Sequence, residues 1–217
     1  MAASGAASTL AFEMSDGAQR LVVNCGGPAP LPTALHPQLV EALRSTAAHS
    51  TLTLSDTNST AILPDGSLGK GVTDVTIERS EDNDSSRIEA SHDGYVRRFG
   101  LIHKRSLMLG NDGKELRGAD QLILKGRRKI KEAAPYAIRF HLARGVEATV
   151  TADGMGAILR SPGAPAWNFR CRGAMLTTEE SIVIDGRGDS HPTTQLVIVG
   201  EISGIGGEIG WQFRRTS

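Results

Sequence analysis

The sequence predicts an all-β protein, a large antiparallel β-sandwich of two sheets with about fifteen strands and one short helix. Apolar and polar residues alternate along many short segments, most clearly over 136–142 and 209–213. This two-residue period is typical of strands that bury one face. Glycine and proline supply 25 and 9 of the 217 residues, and pairs such as Asp153-Gly154 provide the positive-φ positions that hairpin turns need.

The elements follow in chain order from this period. Strands are predicted at 9–13, 20–24, 50–54, 72–78, 87–92, 95–99, 102–109, 121–125, 136–142, 146–151, 157–161, 167–172, 180–185, 195–202 and 209–213. One segment, 36–45, predicts a helix, because Pro37 suits a first turn and Leu39 and Leu43 share one face. No linker divides the chain, so residues 1–8 are predicted to be a frayed end and 9–217 a single domain.

Composition and charge narrow the classes of partner. The chain carries 24 basic and 24 acidic side chains, so its net charge gives no reason to expect nucleic acid or an anionic membrane. No stretch approaches the roughly 18 consecutive apolar residues of a membrane span. The first ten residues lack the basic and apolar regions of a secretory signal, which leaves the compartment open.

Three histidines stand beside predicted strand ends. His49 lies between the helix and the next strand, His92 ends a strand and opens a His-Asp-Gly-Tyr turn, and His103 lies on the strand beyond that turn. A neutral imidazole whose pKa lies near working pH suits a general base or a metal ligand. The alternative is a hydrogen-bonded histidine at a sheet edge, and periodicity alone favours this alternative for any single one.

A basic run, KGRRKIK, occupies residues 125–131. Its side chains are of the type that donates charge-assisted hydrogen bonds to sulfate or carboxylate groups. A solvated loop between strands is the favoured alternative, and the run contains no aromatic residue that would indicate single-stranded nucleic acid. The glycine-rich segment 204–207 precedes no helix, so it predicts no phosphate-binding loop.

Five segments carry a resemblance to a known family over roughly residues 10–215. They are RSTAAHSTLTLSDTNST (44–60), IEASHDGYVRRFGLIHKRSLML (88–109), GADQLILKG (118–126), YAIRFHLARGV (136–146) and GAPAWNFRC (163–171). The His-Asp-Gly-Tyr turn, followed by a His-x-Arg strand, is the most specific part. In this order the segments resemble the C-terminal domain of the heparinase II/III-like polysaccharide lyases.

The resemblance implies a function larger than this chain contains. The family that this chain resembles consists of two-part enzymes, in which a helical (α/α) toroid precedes an antiparallel β-sandwich. This chain is similar to the sandwich only. They cleave acidic polysaccharides, heparan sulfate-like or alginate-like, by β-elimination at a uronate. The toroid supplies the catalytic tyrosine, so a toroid domain or a partner chain that carries one is the implied partner. The isolated chain is therefore expected to be inactive.

The resemblance also implies site residues. His49 matches the histidine that the sandwich contributes to the cleft, where it would neutralise the uronate carboxylate or shuttle a proton, and Tyr95 would line the same cleft as a second catalytic residue. Substrate binding is assigned to Arg97, His103 and Arg105.

A zinc ion is the one cofactor that the resemblance implies. Some relatives hold zinc in the sandwich through two histidines and one aspartate; here His92 matches best, with Asp56 and His49 as companions, and three such ligands plus water make a reasonable zinc site. A structural role near the domain interface is the alternative. Relatives often carry a second histidine two residues after the one that corresponds to His141, and this chain has Ala143 there, which leaves that histidine's role unfilled.

Two other classes of function remain open. A stand-alone carbohydrate-binding module would need exposed aromatic side chains, yet the chain has two Trp, two Tyr and five Phe, and the strand phase turns Trp167 and Trp211 inward. A structural sandwich without a ligand would leave the histidines unexplained.

Overall fold

The computed structural model describes residues 5–26, 35–126 and 130–216, which form two antiparallel sheets. The six-stranded sheet contains β1 (Met14–Asp16), β2 (Gln19–Val23), β3 (Leu52–Leu54), β8 (Ile130–Leu142), β12 (Met175–Ile184) and β13 (Ser190–Gly204). The eight-stranded sheet contains β4 (Val75–Glu81), β5 (Ser85–His92), β6 (Leu101–Gly110), β7 (Glu115–Leu124), β9 (Glu147–Val150), β10 (Gly156–Arg160), β11 (Trp167–Cys171) and β14 (Gly206–Arg215). The helices are α1 (Pro37–Ala42), α2 (Val96–Phe99) and a 3₁₀ turn at Thr46–Ala48. The predicted fold class is confirmed.

The strand order places distant parts of the chain side by side. The six-stranded sheet runs β1-β2-β8-β13-β12, with β3 also paired to β8, and the eight-stranded sheet runs β4-β5-β6-β7-β14-β11-β10-β9. The last strand, β14, therefore lies in the middle of the larger sheet, whereas β4 and β9 form its edges. No helix in the described ranges is long and apolar enough to cross a membrane.

Two predicted strands are replaced by other structure. The segment 95–99 forms helix α2, which ends where Gly100 adopts the left-handed φ of 72°. The segment 9–13 is not a strand, because the chain turns at Leu10 with a φ of 60° before β1 begins. The centre of the basic run, residues 127–129, lies outside the described residues.

The segment before β1 packs against the interior. Ala7 is fully buried and its N–H donates to the Arg44 carbonyl at 2.8 Å, although residues 1–8 were expected to fray. Phe12 stacks on Trp211 with ring centroids 5.6 Å apart. This segment therefore contributes an aromatic ring to the core.

Aromatic rings join the two sheets at the centre of the core. Phe140 of β8 contacts three rings of the larger sheet, with centroid separations of 5.1, 4.8 and 5.5 Å to Phe169, Trp211 and Phe213. Trp167 and Trp211 are only 2% and 4% exposed. The tryptophans therefore face inward, and neither forms a stacking platform for sugars.

A close approach requires glycine at position 118. Gly118 of β7 is the register partner of Trp211 on β14, and a Cβ at this position would lie 2.2 Å from the indole Cζ2. Gly118→Ala is expected to lower the free energy of unfolding by about 1–3 kcal/mol, because the core would be overpacked. Gly210→Ala, whose Cβ meets nothing within 4 Å, is the control and should change it by less than about 0.5 kcal/mol. Equal losses in urea denaturation would contradict this account.

Candidate functional site

A groove of about 960 Å³ opens between the loop that follows β3 and helix α2. Three cationic side chains line it, Lys70, Arg97 and Arg98, and all three residues are exposed. Asp56 and Asp93 belong to the same lining. The groove thus combines cationic donors with carboxylate acceptors, a mixture that suits a ligand bearing both anionic groups and hydroxyls.

A tight turn carries Asp56 to the groove. Ser55 and Asp56 have φ values of 46° and 50°, and the Thr57 N–H donates to the Leu54 carbonyl at 3.0 Å. Successive left-handed residues other than glycine carry a steric cost, which a short polar side chain such as that of Asp reduces. Asp56 also lines two neighbouring depressions, so the turn stands where three recesses meet.

Helix α2 is anchored from inside the protein by the His-Asp-Gly-Tyr turn. Tyr95 is fully buried and its hydroxyl donates to the Leu52 carbonyl at 2.8 Å. Burial raises the pKa of Tyr95 far above its usual range. Gly94 has no room for a side chain, since a Cβ would lie 2.5 Å from the Ser59 carbonyl oxygen. The turn therefore fixes the position from which Arg97 enters the groove lining.

Two sets of contacts fix charged side chains of the groove. Arg98 Nη1 donates to Thr57 Oγ1 at 2.8 Å. Asp93 accepts backbone N–H bonds from Thr73 at 2.8 Å and from Asp74 at 3.0 Å. Burial alone would raise the pKa of Asp93, but the hydrogen bonds from Thr73 and Asp74 outweigh it and lower the pKa to about 2. The carboxylate is thus anionic and held in place at neutral pH.

A buried chain of hydrogen bonds crosses three strands on the inner face of the larger sheet. The Gly94 N–H donates to His92 Nδ1 at 3.1 Å, which leaves the ring proton on Nε2. His92 Nε2 donates to His103 Nδ1 at 3.1 Å, and His103 Nε2 donates to Asp120 Oδ1 at 2.6 Å. Burial lowers the pKa of His92 to about 3 and also lowers the pKa of His103. Both rings are therefore neutral and all four ring nitrogens have partners.

Asp120 is the anionic centre of this network. Arg105 donates to its two carboxylate oxygens at 2.8 and 3.0 Å, and Trp211 Nε1 donates at 2.9 Å. Burial would raise the pKa of Asp120, but the charge of Arg105 and the hydrogen bonds from His103 and Arg105 together outweigh burial and lower the pKa below its usual range. Arg105 Nη1 also donates to the carbonyls of Leu10 and Ser50. The ion pair thus ties the N-terminal segment and the loop before β3 to the larger sheet.

His49 occupies a different place, at the end of the 3₁₀ turn. It is 6% exposed, and its Nδ1 donates to the Ser45 carbonyl at 2.8 Å, so Nε2 carries the lone pair at neutral pH. Burial lowers the pKa of His49, against the opposite effect of the Ser45 carbonyl. His49 does not belong to the lining of the groove.

A small cluster of polar side chains surrounds His141. Its Nε2 donates to the Ala47 carbonyl at 2.9 Å, so Nδ1 accepts from the Ser181 hydroxyl at 2.7 Å, and Cys25 Sγ lies 3.4 Å from Nδ1. Burial lowers the pKa of His141 to about 4 and raises the pKa of Cys25. A thiol of this kind stays protonated and is no activated nucleophile, so the cluster serves packing.

The predicted site residues lie in three places, one of which is the position of His49 at the end of the 3₁₀ turn. Asp56 and Arg97 line the groove. Four others are at most 3% exposed and hydrogen-bonded within the protein: His92, Tyr95, His103 and Arg105. In this structure Tyr95, His103 and Arg105 make internal hydrogen bonds, and the catalytic role expected of Tyr95 and the substrate contacts expected of His103 and Arg105 stay predictions.

The residues expected to hold zinc do not form a site. Both ring nitrogens of His92 are already hydrogen-bonded, while Asp56 lies in the groove and His49 lies outside it. In the part of the chain that the structure describes, no group of three or more His, Cys, Asp or Glu side chains could hold a metal ion. These residues do not fit zinc, so we derive no chemistry through it.

Sequence reasoning missed Lys70, Arg98 and Asp120. A strand at 95–99 would put Arg98 on the face opposite Arg97, and only the helical turn brings both to one groove. Asp120 shares its strand phase with the buried Leu122. A carboxylate at a strand position that faces the core indicates a buried ion pair. The alternation pattern could therefore have identified Asp120.

Comparisons with known proteins agree with this architecture. A family model described as "Heparinase II/III-like, C-terminal" matches residues 1–212. FtsZ-localized protein C of Caulobacter vibrioides is 27% identical over an alignment of 231 positions, which covers 96% of this chain and 37% of that protein. The solved heparan sulfate lyase HepC from Pedobacter heparinus has a TM-score of 0.78 at 14% identity, over 98% of this chain and 31% of HepC. A solved heparinase III has a TM-score of 0.76 at 12% identity, over 97% of this chain and 30% of that one.

These relatives are much longer than this chain. It spans 37% of the curated relative and 30–31% of the two lyases, and at 12–14% identity the structural likeness concerns the fold. The family model, in contrast, covers nearly all of the sequence. The chain therefore belongs to the Heparinase II/III-like, C-terminal family.

Proposed function

We propose that this chain is the C-terminal sandwich of a polysaccharide lyase and that its groove binds an acidic, uronate-containing polysaccharide. The observation that carries the proposal is the clustering of Lys70, Arg97 and Arg98 along one groove. Arginine forms paired, charge-assisted hydrogen bonds with carboxylate and sulfate groups. Asp56 and Asp93 in the same lining would accept hydrogen bonds from sugar hydroxyls.

The proposal divides the reaction between two domains. In β-elimination, a base removes the C5 proton of the uronate and the bond to the 4-oxygen breaks, which leaves an unsaturated sugar. Charge builds on the uronate carboxylate in the transition state, so neighbouring cations stabilise it. We assign the stabilisation of that charge to the cations of the groove in this domain. Because Tyr95, His103 and Arg105 are buried, we assign the proton transfers to a helical domain in the same protein or in a partner chain.

A second candidate function is a structural sandwich that serves localisation or assembly and neither binds nor cleaves an acidic polysaccharide. The relative named FtsZ-localized protein C is 27% identical over 96% of this chain, whereas the heparan sulfate lyase is 14% identical. This higher identity favours a family branch in which the sandwich serves localisation or assembly and the polysaccharide chemistry is absent.

Binding and turnover assays test the proposal. The chain alone is expected to bind heparan sulfate or alginate without producing the ultraviolet absorbance of an unsaturated uronate. The double variant Arg97→Ala/Arg98→Ala should bind at least tenfold more weakly, because each charge-assisted hydrogen bond contributes about 1.5–3 kcal/mol. Arg160→Ala, an exposed arginine on β10, is the control and should bind like the unmodified chain. Isothermal titration with size-defined oligosaccharides measures these affinities.

Three outcomes would overturn the proposal or its parts. A rise in absorbance with the chain alone would overturn the division of labour between the domains. Equal weakening by Arg160→Ala would mean that binding follows net charge and not the groove. Failure to bind any acidic polysaccharide, with the fold intact, would favour the second candidate function.

A further inference from the structure

The edge strand β4 is unusually open. All seven of its residues are exposed, including Val75 at 53% and Ile77 at 70%. The strand contains neither proline nor a bulge, and its register with β5 is continuous. Its charged residues, Glu78, Arg79 and Glu81, limit the registers in which another strand can pair with it. An exposed edge of this kind is a template for another strand.

The backbone groups that point outward can be identified from the ladder. The Asp93 N–H donates to the Asp74 carbonyl and the Asp82 N–H donates to the Ser85 carbonyl, and hydrogen-bonded pairs recur at every second residue of an antiparallel ladder. The even-numbered residues therefore turn their polar backbone groups toward β5. Val75, Ile77 and Arg79 turn theirs away from the sheet, so they would bond to an added strand.

Two copies of β4 could pair antiparallel around a two-fold axis. Only one position of that axis avoids placing like charges directly opposite each other over most of the strand. A two-fold axis at Ile77 sets Ile77 against itself, Val75 against Arg79 and Thr76 against Glu78. An axis at Thr76 would oppose Asp74 and Glu78, and an axis at Glu78 would oppose Glu78 with itself. Like charges directly opposite destabilise a strand pair, whereas apolar pairs stabilise it.

We propose that two copies of this chain pair through β4, antiparallel and with Ile77 on the two-fold axis. The pairing would join two eight-stranded sheets into one continuous sheet through about six backbone hydrogen bonds. It would also bury the two Ile77 side chains against each other on the inner face, which β4 shares with Ala90. The second copy is the occupant because the outward backbone groups of Val75, Ile77 and Arg79 pair with those of a second β4, while no like charges lie directly opposite each other.

Cysteine cross-linking in the 217-residue chain tests the register. Hydrogen-bonded partners in an antiparallel pair have Cα atoms about 5.5 Å apart, which lies within the range for a disulfide. Ile77→Cys should therefore give a disulfide-linked dimer under mild oxidation. Arg79→Cys is the matched control and should not, because its two copies would lie roughly 13 Å apart. The native cysteines, Cys25 and Cys171, are both buried.

The mass in solution provides an independent readout. The unmodified chain of 23.0 kDa should elute with twice that mass by light scattering, and Ile77→Lys should be monomeric while it keeps the circular dichroism spectrum of the folded chain. A monomeric unmodified chain at high concentration would overturn the proposal. Equal cross-linking of Ile77→Cys and Arg79→Cys would do the same, as would a stronger cross-link from Glu78→Cys.

Discussion

The variant Arg105→Ala is expected to lose about 3–5 kcal/mol of unfolding free energy, because it leaves a buried charge without its partner. The side chains of Arg105 and Asp120 are 3% and 0% exposed and lie 2.8 Å apart. Without the guanidinium, Asp120 keeps only neutral partners, His103 and Trp211. Two backbone carbonyls that Arg105 also satisfies would lose a donor, which adds to the loss.

A surface ion pair on the same sheet is the matched control. Arg170 and Asp153 lie 2.7 Å apart but are 44% and 40% exposed, so Arg170→Ala should cost less than about 1 kcal/mol. Urea denaturation at pH 7 measures both variants. The double variant Arg105→Met/Asp120→Leu should recover only part of the loss, because it removes both charges together but leaves the N–H groups of His103 and Trp211 without their acceptor. A loss below about 1 kcal/mol in Arg105→Ala would contradict the assignment.

The sequence predicted the sandwich because the strands alternate strongly, but it could not predict their neighbours. The segments 136–142 and 209–213 lie within β8 and β14 as expected. A local period carries no information on pairing partners, however, and β14 inserts between β7 and β11. The packing of Trp211 on Gly118 follows from that insertion and from nothing near either residue in the sequence.

Segment 95–99, predicted as a strand and found as helix α2, shows where the two-residue alternation of side chains gives a wrong prediction. Tyr95, Arg97 and Phe99 alternate with smaller or polar neighbours as in a strand, and four residues are too few to display a helical period. The left-handed Gly100 that ends α2 was the available signal, since glycine at this position commonly ends helices. Because the helix was missed, Arg98 was missed as a groove residue.

The most specific part of the family resemblance, the His-Asp-Gly-Tyr turn and the following strand, is largely buried in this chain. Burial depends on which sheet covers a strand, which the sequence does not state. His92 and Tyr95 face the interior, and His103 lies against Asp120 beneath them. Arg97, two residues beyond the turn, stays at the surface. The turn therefore positions Arg97 in the lining of the groove.

The free energy of unfolding is expected to fall as the pH drops from about 6.5 to 5. Burial lowers the pKa of His92 to about 3 and that of His141 to about 4, and it also lowers the pKa of His103. In the unfolded chain these imidazoles titrate near 6.5, so below that pH the unfolded state binds protons that the folded state does not. Below pH 6.5 each such histidine lowers the free energy of unfolding by roughly 1 kcal/mol per pH unit. Above pH 7 the ring is neutral in both the folded and the unfolded state, so this loss is absent.

Carboxylates do not account for a loss in this window, because an unfolded aspartate titrates near 3.8. The histidine origin is tested with His141→Gln, whose stability should fall less steeply between pH 6.5 and 5, by roughly 1 kcal/mol per pH unit. His36→Gln, which replaces an exposed ring, should keep the slope of the unmodified chain. Urea denaturation at constant ionic strength gives the slopes. If His141→Gln and His36→Gln had the same slope, the folded protein would have to accept a proton on His141, and its hydrogen bond to Ser181 would have to open well above pH 4.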